Sequence, residues 1–292
     1  MQFVAACTPA SAPFSPPAAG VLLLGLADGS QRGQLTQGDD PVAVEVSADG
    51  ATAFVSDNRG GRVLALALPS LRTVWTSEVG GRPGPLLASL DALYVSLYDA
   101  GQVVELALAD GAVLARHPAG RQPGQLALTP GGSVLVHGAE GVRDLEGGAH
   151  GGGAGFALGG GWSGDYDSGT LLDLETGTKL GSPPHLHPFW LTAGPGSTAY
   201  AAAEGDDEDR DAGAVLEVRS NGVRTLARAK DPDQVAYVSG RVFAAAHADH
   251  AVLVLDAAGR AAPQHWAVGS APVALAADPR LGLLIVVVNA AE

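Results

Sequence analysis

Two short segments carry histidines at a spacing that suits a transition metal. They are His185–His187 and His247–His250, and in each segment the first and last residues are imidazoles. Alternate side chains of an extended segment point the same way, and imidazole is a common ligand of zinc and copper. We therefore consider His185, His187, His247 and His250 as candidate ligands. Since the sequence does not bring the two segments together, it favours ordinary surface histidines over this metal site.

An acidic segment offers a second candidate, for calcium. Asp207, Asp209 and Asp211 occupy alternate positions in Gly205–Gly213, and hard cations bind to several carboxylate oxygens that converge in a tight loop. The glycine stands one place late for an EF-hand loop, and no glutamate follows at the twelfth position. The sequence favours a solvated acidic loop, with calcium binding as the alternative.

A third set of polar and aromatic residues follows short apolar runs and suits a ligand-binding surface. Trp162 lies in a glycine-rich stretch beside Asp165 and is a candidate for an exposed aromatic platform, although ordinary packing is favoured. The whole set is Asp57, Asn58, Arg59, Tyr98, Asp99, Trp162, Asp165 and Tyr166.

The usual signatures of nucleophilic catalysis and of phosphate binding are missing from the sequence. It has no Gly-x-Ser-x-Gly motif, and the glycine-rich stretch Gly147–Gly161 has no Lys-Ser/Thr pair after its glycines. Because no acid, base and nucleophile stand out as a set, the sequence favours a binding protein over an enzyme, without deciding between them.

Composition excludes several classes of protein. The 292 residues include 17 Lys and Arg against 31 Asp and Glu, a formal net charge of −14, so nucleic acid and anionic membranes are poor partners. Apolar residues make up 46% and charged residues 16%, which argues against disorder. Apolar runs are at most six residues long, as in Leu283–Val288, which is too short to span a bilayer, and a single cysteine excludes a disulfide framework.

The elements that must position these residues are repeated. Proline closes a recurring turn, and successive prolines are separated by 42, 40, 65, 44 and 40 residues, at positions 41, 83, 123, 188, 232 and 272. Each period contains four short apolar runs separated by turn signals such as Ala48-Asp49-Gly50. Four strands in about 40 residues are typical of one β-propeller blade, and such blades stack around a central channel.

The two ends of the chain complete one more period. Residues 21–35 resemble third and fourth strands, and residues 273–288 resemble a first and a second, so one blade shared by both ends would close the ring. The 65-residue interval is ambiguous, and in it we assign Gly155–Gly160 to a second strand. We predict an all-β propeller of seven blades, with six blades and an insertion as the alternative.

The propeller places the polar loops on one face. Loops between second and third strands, and loops between blades, emerge together, and they carry the three sets described above along with most clustered acids. We expect this acidic top face to be the functional one, although ordinary solvated loops would also be polar.

The repeat resembles a known family. Pro41–Val44, Ser47–Gly50 and Ala53–Asn58 are similar to the YVTN-type propeller repeat, in which a proline and a hydrophobic run precede an Ala-Asp-Gly turn and a Tyr-Val-x-Asn-like strand. The resemblance extends from Val21 to the end of the chain. It implies a propeller and identifies repeats more than activity.

The start of the chain suggests export. Val4–Cys7 resembles a bacterial lipobox, in which Cys7 would carry lipid, and Thr8–Ala19 holds four prolines among small residues, as in a tether. A chance match is the alternative, because only six residues precede Cys7. We expect residues 1–19 to be a tether and residues 20–292 to be one propeller domain.

These observations predict an extracytoplasmic, monomeric scaffold. It would bind a protein, glycan or small molecule through its acidic top face, and it would meet the membrane only through lipid on Cys7. The alternative is a metal-dependent propeller enzyme of the lyase or lactonase type, with His and Asp residues at the channel mouth. We assign no certain cofactor; calcium or a transition metal are the candidates.

Overall fold

The computed structural model describes residues 19–147, 149–151, 157–206, 209 and 212–290. These residues form 28 β-strands, numbered here along the chain. The strands assemble into seven four-stranded antiparallel sheets, which are the blades of a β-propeller. Within the described residues, no helix is long and apolar enough to cross a membrane.

The first pair of strands and the first three complete blades occupy the N-terminal half. The pair is β1 (Gly20–Gly25) and β2 (Gln31–Leu35). Blade 1 consists of β3 (Pro41–Val46), β4 (Thr52–Asp57), β5 (Arg62–Ala67) and β6 (Arg72–Glu78). Blade 2 consists of β7 (Pro83–Ala88), β8 (Ala92–Leu97), β9 (Gln102–Ala107) and β10 (Val113–Pro118). Blade 3 consists of β11 (Leu126–Leu128), β12 (Val134–Gly138), β13 (Gly141–Asp144) and β14 (Ala149–Gly151).

The remaining blades follow in the same order. Blade 4 consists of β15 (Ala157–Gly159), β16 (Trp162–Asp165), β17 (Thr170–Asp173) and β18 (Lys179–Gly181). Blade 5 consists of β19 (His187–Ala193), β20 (Ala199–Glu204), β21 (Ala214–Arg219) and β22 (Gly222–Arg228). Blade 6 consists of β23 (Pro232–Val238), β24 (Arg241–Ala246), β25 (Ala251–Asp256) and β26 (Gln264–Ala267). Blade 7 combines β27 (Ala271–Asp278) and β28 (Leu283–Asn289) with β1 and β2.

The ring closes as the split period predicts. β1 pairs antiparallel with β28, from Gly20 opposite Val288 to Gly25 opposite Leu283. The first strand of every blade also contacts the first strands of both neighbouring blades. The prediction of seven blades with a shared last blade is therefore confirmed, and the six-bladed alternative is wrong.

One strand within the ambiguous interval was misassigned. Gly155–Gly160 was predicted as a second strand, but the described part of it forms β15, the first strand of blade 4, and β16 is the second. The glycine-rich sequence lacks the apolar run that marks first strands elsewhere, so this blade was hard to recognise.

The core is divided among the blade interfaces. Seven clusters of buried apolar side chains each join two neighbouring blades, because both faces of every sheet pack against another sheet. The cluster between blades 3 and 4 is the smallest, with Leu135, Val142 and Leu158 as its buried members.

Gln125 compensates for the small interface between blades 3 and 4. Its buried side chain donates from Nε2 to the carbonyl of Leu191, at 2.6 Å, and Oε1 accepts from the N–H groups of Leu158 and Leu191, at 2.8 and 3.1 Å. One side chain of blade 3 therefore binds the first strands of both blade 4 and blade 5.

Two outer-strand tryptophans pack in equivalent ways on the next blade. Trp75 of β6 covers Gly111 of blade 2, and Trp266 of β26 covers Gly29 of blade 7; a Cβ at either glycine would meet the indole at 2.6 or 2.4 Å. Both glycines also have a left-handed backbone, with φ of 73° and 68°. Tight turns and close approach of the indole both require glycine there.

Candidate functional site

A β-bulge at the start of the first strands directs one side chain from each into the channel. In β3, β19, β23 and β27 the residue after the proline is skipped in the pairing with the second strand. Bulges re-aim side chains. The skipped residues all line the upper end of the channel: Val42, Phe189, Asp233 and Val273. Asp233 is thus the one charged member of a ring of otherwise apolar bulged residues.

The upper end of the channel is a cavity of about 430 Å³ on the top face. Its walls are mainly apolar and aromatic, with Phe189, Trp190 and Tyr98 among them. Polar groups enter from two blades that flank blade 7, Asp233 from blade 6 and Asn58 from blade 1. A concave, mostly apolar space with a few convergent polar groups is typical of small-molecule sites.

The upper cavity ends at a waist shared with a second, lower cavity. Gln125, Trp190 and Gln234 line both spaces. Two of these side chains are fixed by buried hydrogen bonds: Gln125 as described above, and Gln234 because its Oε1 accepts the N–H of Leu275 at 2.8 Å. At the waist, the amide group of Gln125 and Oε1 of Gln234 are therefore already hydrogen-bonded to the backbone of neighbouring strands.

Three carboxylates converge beside the upper cavity. Glu204 ends β20, Asp231 lies in the loop before β23, and Asp233 is the bulged residue; one ligand atom from each lies within 4.8 Å of the others. Oxygen ligands of this kind suit a hard divalent cation. This cluster could therefore hold a metal ion, and it is the one group of three or more His, Cys, Asp or Glu residues in the described chain with that geometry.

Neighbouring side chains hold the three carboxylates in place. Nδ1 of His247 lies 2.9 Å from Oδ2 of Asp233, and the backbone N–H of His247 donates to the carbonyl of Asp231. The hydroxyl of Tyr166 donates to Oε2 of Glu204 at 2.8 Å. Glu204 thus receives its donor from blade 4, and Asp233 is paired within its own blade.

Burial changes the acidity of Asp233. The surrounding protein raises its pKa to about 6, although the hydrogen bond and the charge of His247 act in the opposite direction; the nearby Asp231 raises it further. A carboxyl group with this pKa exchanges its proton near neutral pH, which suits a general acid or base.

The four predicted histidine ligands occupy different environments and are not members of the carboxylate cluster. Nδ1 of His185 lies 2.6 Å from Oδ2 of Asp206 at an exposed position. Nδ1 of His187 contacts the carbonyl of Tyr166 at 2.5 Å, and the two rings are 5.3 Å apart. His247 binds Asp233, as above, and His250 donates its N–H to the carbonyl of His247.

Among the predicted top-face residues, Asp57 is a correction. It is fully buried, and its Oδ1 accepts the N–H groups of Asp39, Asp40 and Gly60, while Arg62 pairs with Oδ2 at 2.9 Å. Its carboxylate holds the loop between blades together, so it is not part of a ligand-binding surface.

Trp162 is a second correction. The exposed platform that was a candidate role for this side chain is wrong, because only 1% of it is exposed and Nε1 donates to the carbonyl of Ser197. It packs with Leu171 and Leu191 between blades 4 and 5. The small residues around it leave a volume that this indole fills.

Other predicted residues do lie near the upper cavity. Asn58 and Tyr98 line it directly. Asn58 donates to the carbonyl of Pro83 and accepts from Nε of Arg82, which also lies 3.8 Å from Asp99. Arg59 is exposed.

The loop after β16 contributes one residue to the site. Asp165 caps the turn by accepting the N–H of Ser168. Tyr166 follows it and makes the bond to Glu204 described above, and its ring meets the edge of Phe189 at 6.3 Å. Tyr166 therefore connects the carboxylate cluster with the aromatic wall.

Three predicted residues, Asp207, Asp211 and Cys7, lie outside the described residues. Asp209 is exposed, and its N–H donates to the carbonyl of Asp206. The calcium hypothesis for Asp207, Asp209 and Asp211 and the lipid on Cys7 stay predictions.

Sequence reasoning did not single out Asp233 as a site residue, nor its grouping with Glu204 and Asp231. A signal was available: when the repeats are aligned on their prolines, the next residue is Val42, Gly84, Gly124, Phe189, Asp233 or Val273. Only one of these positions carries charge.

Comparison with known proteins supports the fold. No family model and no curated protein matches the chain. A streptogramin B lyase structure superimposes with a TM-score of 0.67 at 11% identity, covering 94% of this chain and 99% of that one. BamB from Moraxella catarrhalis gives 0.54 at 18%, covering 94% and 95%. A chain of the mitotic checkpoint complex gives 0.60 at 15%, covering 82% and 85%. At these identities the similarity shows a shared propeller fold.

Proposed function

We propose that this protein is a ligand-binding propeller whose top face takes a small organic molecule into the upper cavity. The observation that carries the proposal is the cavity of about 430 Å³, in which aromatic walls meet the side of the ring that bears Asp233. Buried aromatic area supplies affinity, and a few polar groups fix orientation. The ligand class that fits best has an apolar ring and a positively charged group.

Charge supports a cationic ligand over an anionic one. Glu204, Asp231 and Asp233 stand together at one wall, and the imidazole of His247 is the basic group that contacts Asp233. Arg82 lies across the cavity, but it is engaged by Asn58 and Asp99. An ammonium group beside the carboxylates would gain charge-assisted hydrogen bonds, whereas an anion there would be repelled.

Fluorescence titration with proflavine, a cationic aromatic dye, tests this proposal. We expect saturable binding at one site, weakened roughly tenfold or more in Asp233→Asn, because a charge-assisted hydrogen bond contributes about 1.5–3 kcal/mol. Asp110→Asn, which removes an acid from an exposed turn on the opposite face, serves as the matched control and should bind like the wild type. Equal affinity in wild type and Asp233→Asn would overturn the proposal.

A second candidate function is a metal-dependent enzyme of the lyase or lactonase type. The observation that favours it is the convergence of three carboxylates within 4.8 Å, next to an Asp233–His247 pair that could move a proton at the edge of the cavity. Glu204, Asp231 and Asp233 would hold the ion, which would supply Lewis-acid chemistry when bound. His247 would orient Asp233 and take up or release the proton at Nδ1.

Calorimetric titration of the chelator-treated protein with Mg²⁺, Mn²⁺ and Ca²⁺ separates the two candidates. The enzyme candidate predicts stoichiometric binding that is lost in Glu204→Gln and retained in Glu175→Gln, an exposed control. If none of the three ions binds, the metal-dependent enzyme is excluded, and the dye experiment still decides the binding proposal.

We place this binding function outside the cytoplasm, with lipid on Cys7 as the anchor and the YVTN-type repeat as the family. A propeller in the mitotic checkpoint complex is an example of this fold within a protein assembly, so a protein partner on the same face is consistent with the proposal. Metabolic labelling with palmitate in a bacterial host tests the anchor. Label is expected on the wild type and not on Cys7→Ser. A wild-type protein without label would contradict the proposed lipid anchor.

A further inference from the structure

The lower end of the channel holds a separate cavity of about 300 Å³. It lies below the waist, and the fourth residue after each proline contributes to its wall in five blades. Those residues are Glu45, Leu87, Thr192, Ala236 and Ala276. The repeat therefore places apolar or neutral side chains at this level of the channel, with one exception.

Glu45 is that exception, and its carboxyl group is alone. Among the described residues no donor forms a hydrogen bond or an ion pair with it. The surrounding channel wall raises the pKa of Glu45 to about 8, and burial is the sole cause, although part of the side chain still faces the cavity. A partly buried carboxyl group without a partner loses hydration and gains no hydrogen bond in return, so its presence in the cavity needs an explanation.

The other charged side chains at this cavity are Asp278 and Arg280, and the titratable hydroxyl is that of Tyr237. Oδ2 of Asp278 is buried and has no hydrogen-bond partner among the described residues. Arg280 lies 3.6 Å from Asp278, whose Oδ1 also accepts the N–H groups of Arg280 and Leu281. Tyr237 stacks on Tyr200 with ring centres 5.2 Å apart. None of these groups, on β23 or on β27 and the turn after it, neutralises Glu45.

We propose that the lower cavity binds a small organic ammonium ion, with Glu45 as its counter-ion. A hard divalent cation is a poorer fit, because it requires several oxygen ligands and one free carboxylate supplies at most two. The aromatic rings of Trp190 and Tyr237 also line the cavity and add the wall that suits an alkylammonium group. This site lies at the opposite end of the channel and is independent of the proposed function.

Binding at this site is coupled to the loss of a proton. At pH 7 the free protein carries Glu45 mostly in its neutral form, and a bound cation favours the carboxylate. One proton is therefore released for each ammonium ion bound. The affinity rises with pH until Glu45 is ionised in the free protein.

Calorimetry with n-butylammonium chloride at pH 7, in two buffers of different ionisation enthalpy, tests the proposal. We expect a binding event that releases about one proton per ion bound, a value that follows from a pKa one unit above the working pH. Binding beside Asp233 in the upper cavity would release far less, because that carboxyl group is mostly ionised at pH 7. The neutral n-butanol and the anionic butyrate are expected to bind far more weakly. Equal binding of n-butanol, or the absence of proton release, would overturn the proposal.

Substitutions locate the site. Glu45→Gln keeps the shape of the neutral acid and is expected to lower n-butylammonium affinity roughly tenfold or more. Glu78→Gln, an exposed change in the same blade, is expected to retain binding. In an Asp233→Asn background, which weakens any binding of the ion in the upper cavity, Glu45→Gln is expected to cause the same loss. If Asp233→Asn abolishes binding and Glu45→Gln does not, the ion occupies the upper cavity and the proposal fails. A melt of Glu45→Gln at pH 4, where the wild-type carboxyl group is mostly protonated in the folded and the unfolded chain, is expected to match the wild type and shows that the variant is folded.

Discussion

The two ends of the channel each contain a carboxyl group shielded from water, but only the upper one has a partner among the described residues. Each places one carboxyl group on a ring of otherwise neutral positions, Asp233 above the waist and Glu45 below it. Burial raises the pKa of both, to about 6 and about 8 respectively. Asp233 has His247 as a partner, whereas Glu45 has none among the described residues.

That difference determines the charge at each end. At pH 7 the upper carboxyl group is mostly ionised, and the lower one is mostly neutral. The charge of each carboxyl group at pH 7 therefore depends less on its position in the channel than on the hydrogen-bond partner that the loops supply. The top face, where second strands end, brings His247 to the channel, and the tight turns of the bottom face bring no such donor to Glu45.

The largest effect on stability is expected from Gln125→Leu, because Gln125 lies at the waist that separates the two cavities. In Gln125→Leu two N–H groups and one carbonyl lose their buried partner, and each such loss costs about 1–3 kcal/mol. We expect the free energy of unfolding to fall by about 3–6 kcal/mol in urea denaturation. Gln264→Leu, on the exposed strand β26, is the control. If the free energy of unfolding changes equally little in the two variants, the hydrogen bonds of Gln125 contribute little to stability.

Neutralising the lower carboxyl group should change the pH dependence of stability. The folded-state pKa lies above the ordinary value of 4.5, so wild-type stability falls as pH rises from about 4.5 to 8. The full shift corresponds to at most about 5 kcal/mol, and water in the cavity reduces it to roughly 2–3. Glu45→Gln should therefore be more stable than the wild type at pH 9 and equal to it at pH 4. Parallel melting curves across that range would contradict this.

Neutralising the upper carboxyl group should have a smaller effect of the same sign. The pKa of Asp233 rises from 3.8 to about 6, so its contribution to wild-type stability is lost between those pH values. We expect a difference of about 1–2 kcal/mol in the pH 4 to 7 dependence of wild type and Asp233→Asn, because the lost bond to His247 offsets part of the gain. A difference as large as that for Glu45→Gln would mean that His247 does not stabilise the ionised form of Asp233.

The smallest effect is expected outside the channel. His185 and Asp206 make the same kind of contact as His247 and Asp233, but three quarters of the His185 side chain is exposed. Solvent weakens such pairs, so His185→Ala should change stability by less than about 0.5 kcal/mol in chemical denaturation. His247→Ala should lower the free energy of unfolding more than His185→Ala does. Equal decreases in the two variants would show that a histidine–aspartate pair beside the channel is no stronger than one at the periphery.

Much of the fold was predictable from spacing alone. Prolines at intervals of 40–44 residues mark the first strands, and the apolar ends of the chain indicate the shared blade. Blades 3 and 4 were harder, because the segment that joins them is glycine-rich and the first strand of blade 4 is held by a hydrogen bond from Leu158 to Gln125. Such long-range hydrogen bonds and packing leave no local pattern.

The candidate site was predictable only in outline. The top face was identified as acidic, and Asn58, Tyr98, Tyr166 and His247 do lie at or beside the upper cavity or its carboxylates. Asp57 and Trp162 face inward, because the direction of a side chain at the end of a strand depends on the loop that it must support. Glu45 gives no local signal in the sequence, since a single acid in an apolar strand stands out only when the repeats are aligned on the channel.

The pairing of β1 with β28 has a consequence for synthesis. β1 is among the first described segments to leave the ribosome, and its partner is among the last. Until then β1 and the outer side of blade 1 expose apolar surface that blade 7 later covers, and contacts of such sequence separation form slowly. A chain that stops before β28 would therefore leave an open arc, and its uncovered apolar faces and strand edges would favour association with other chains.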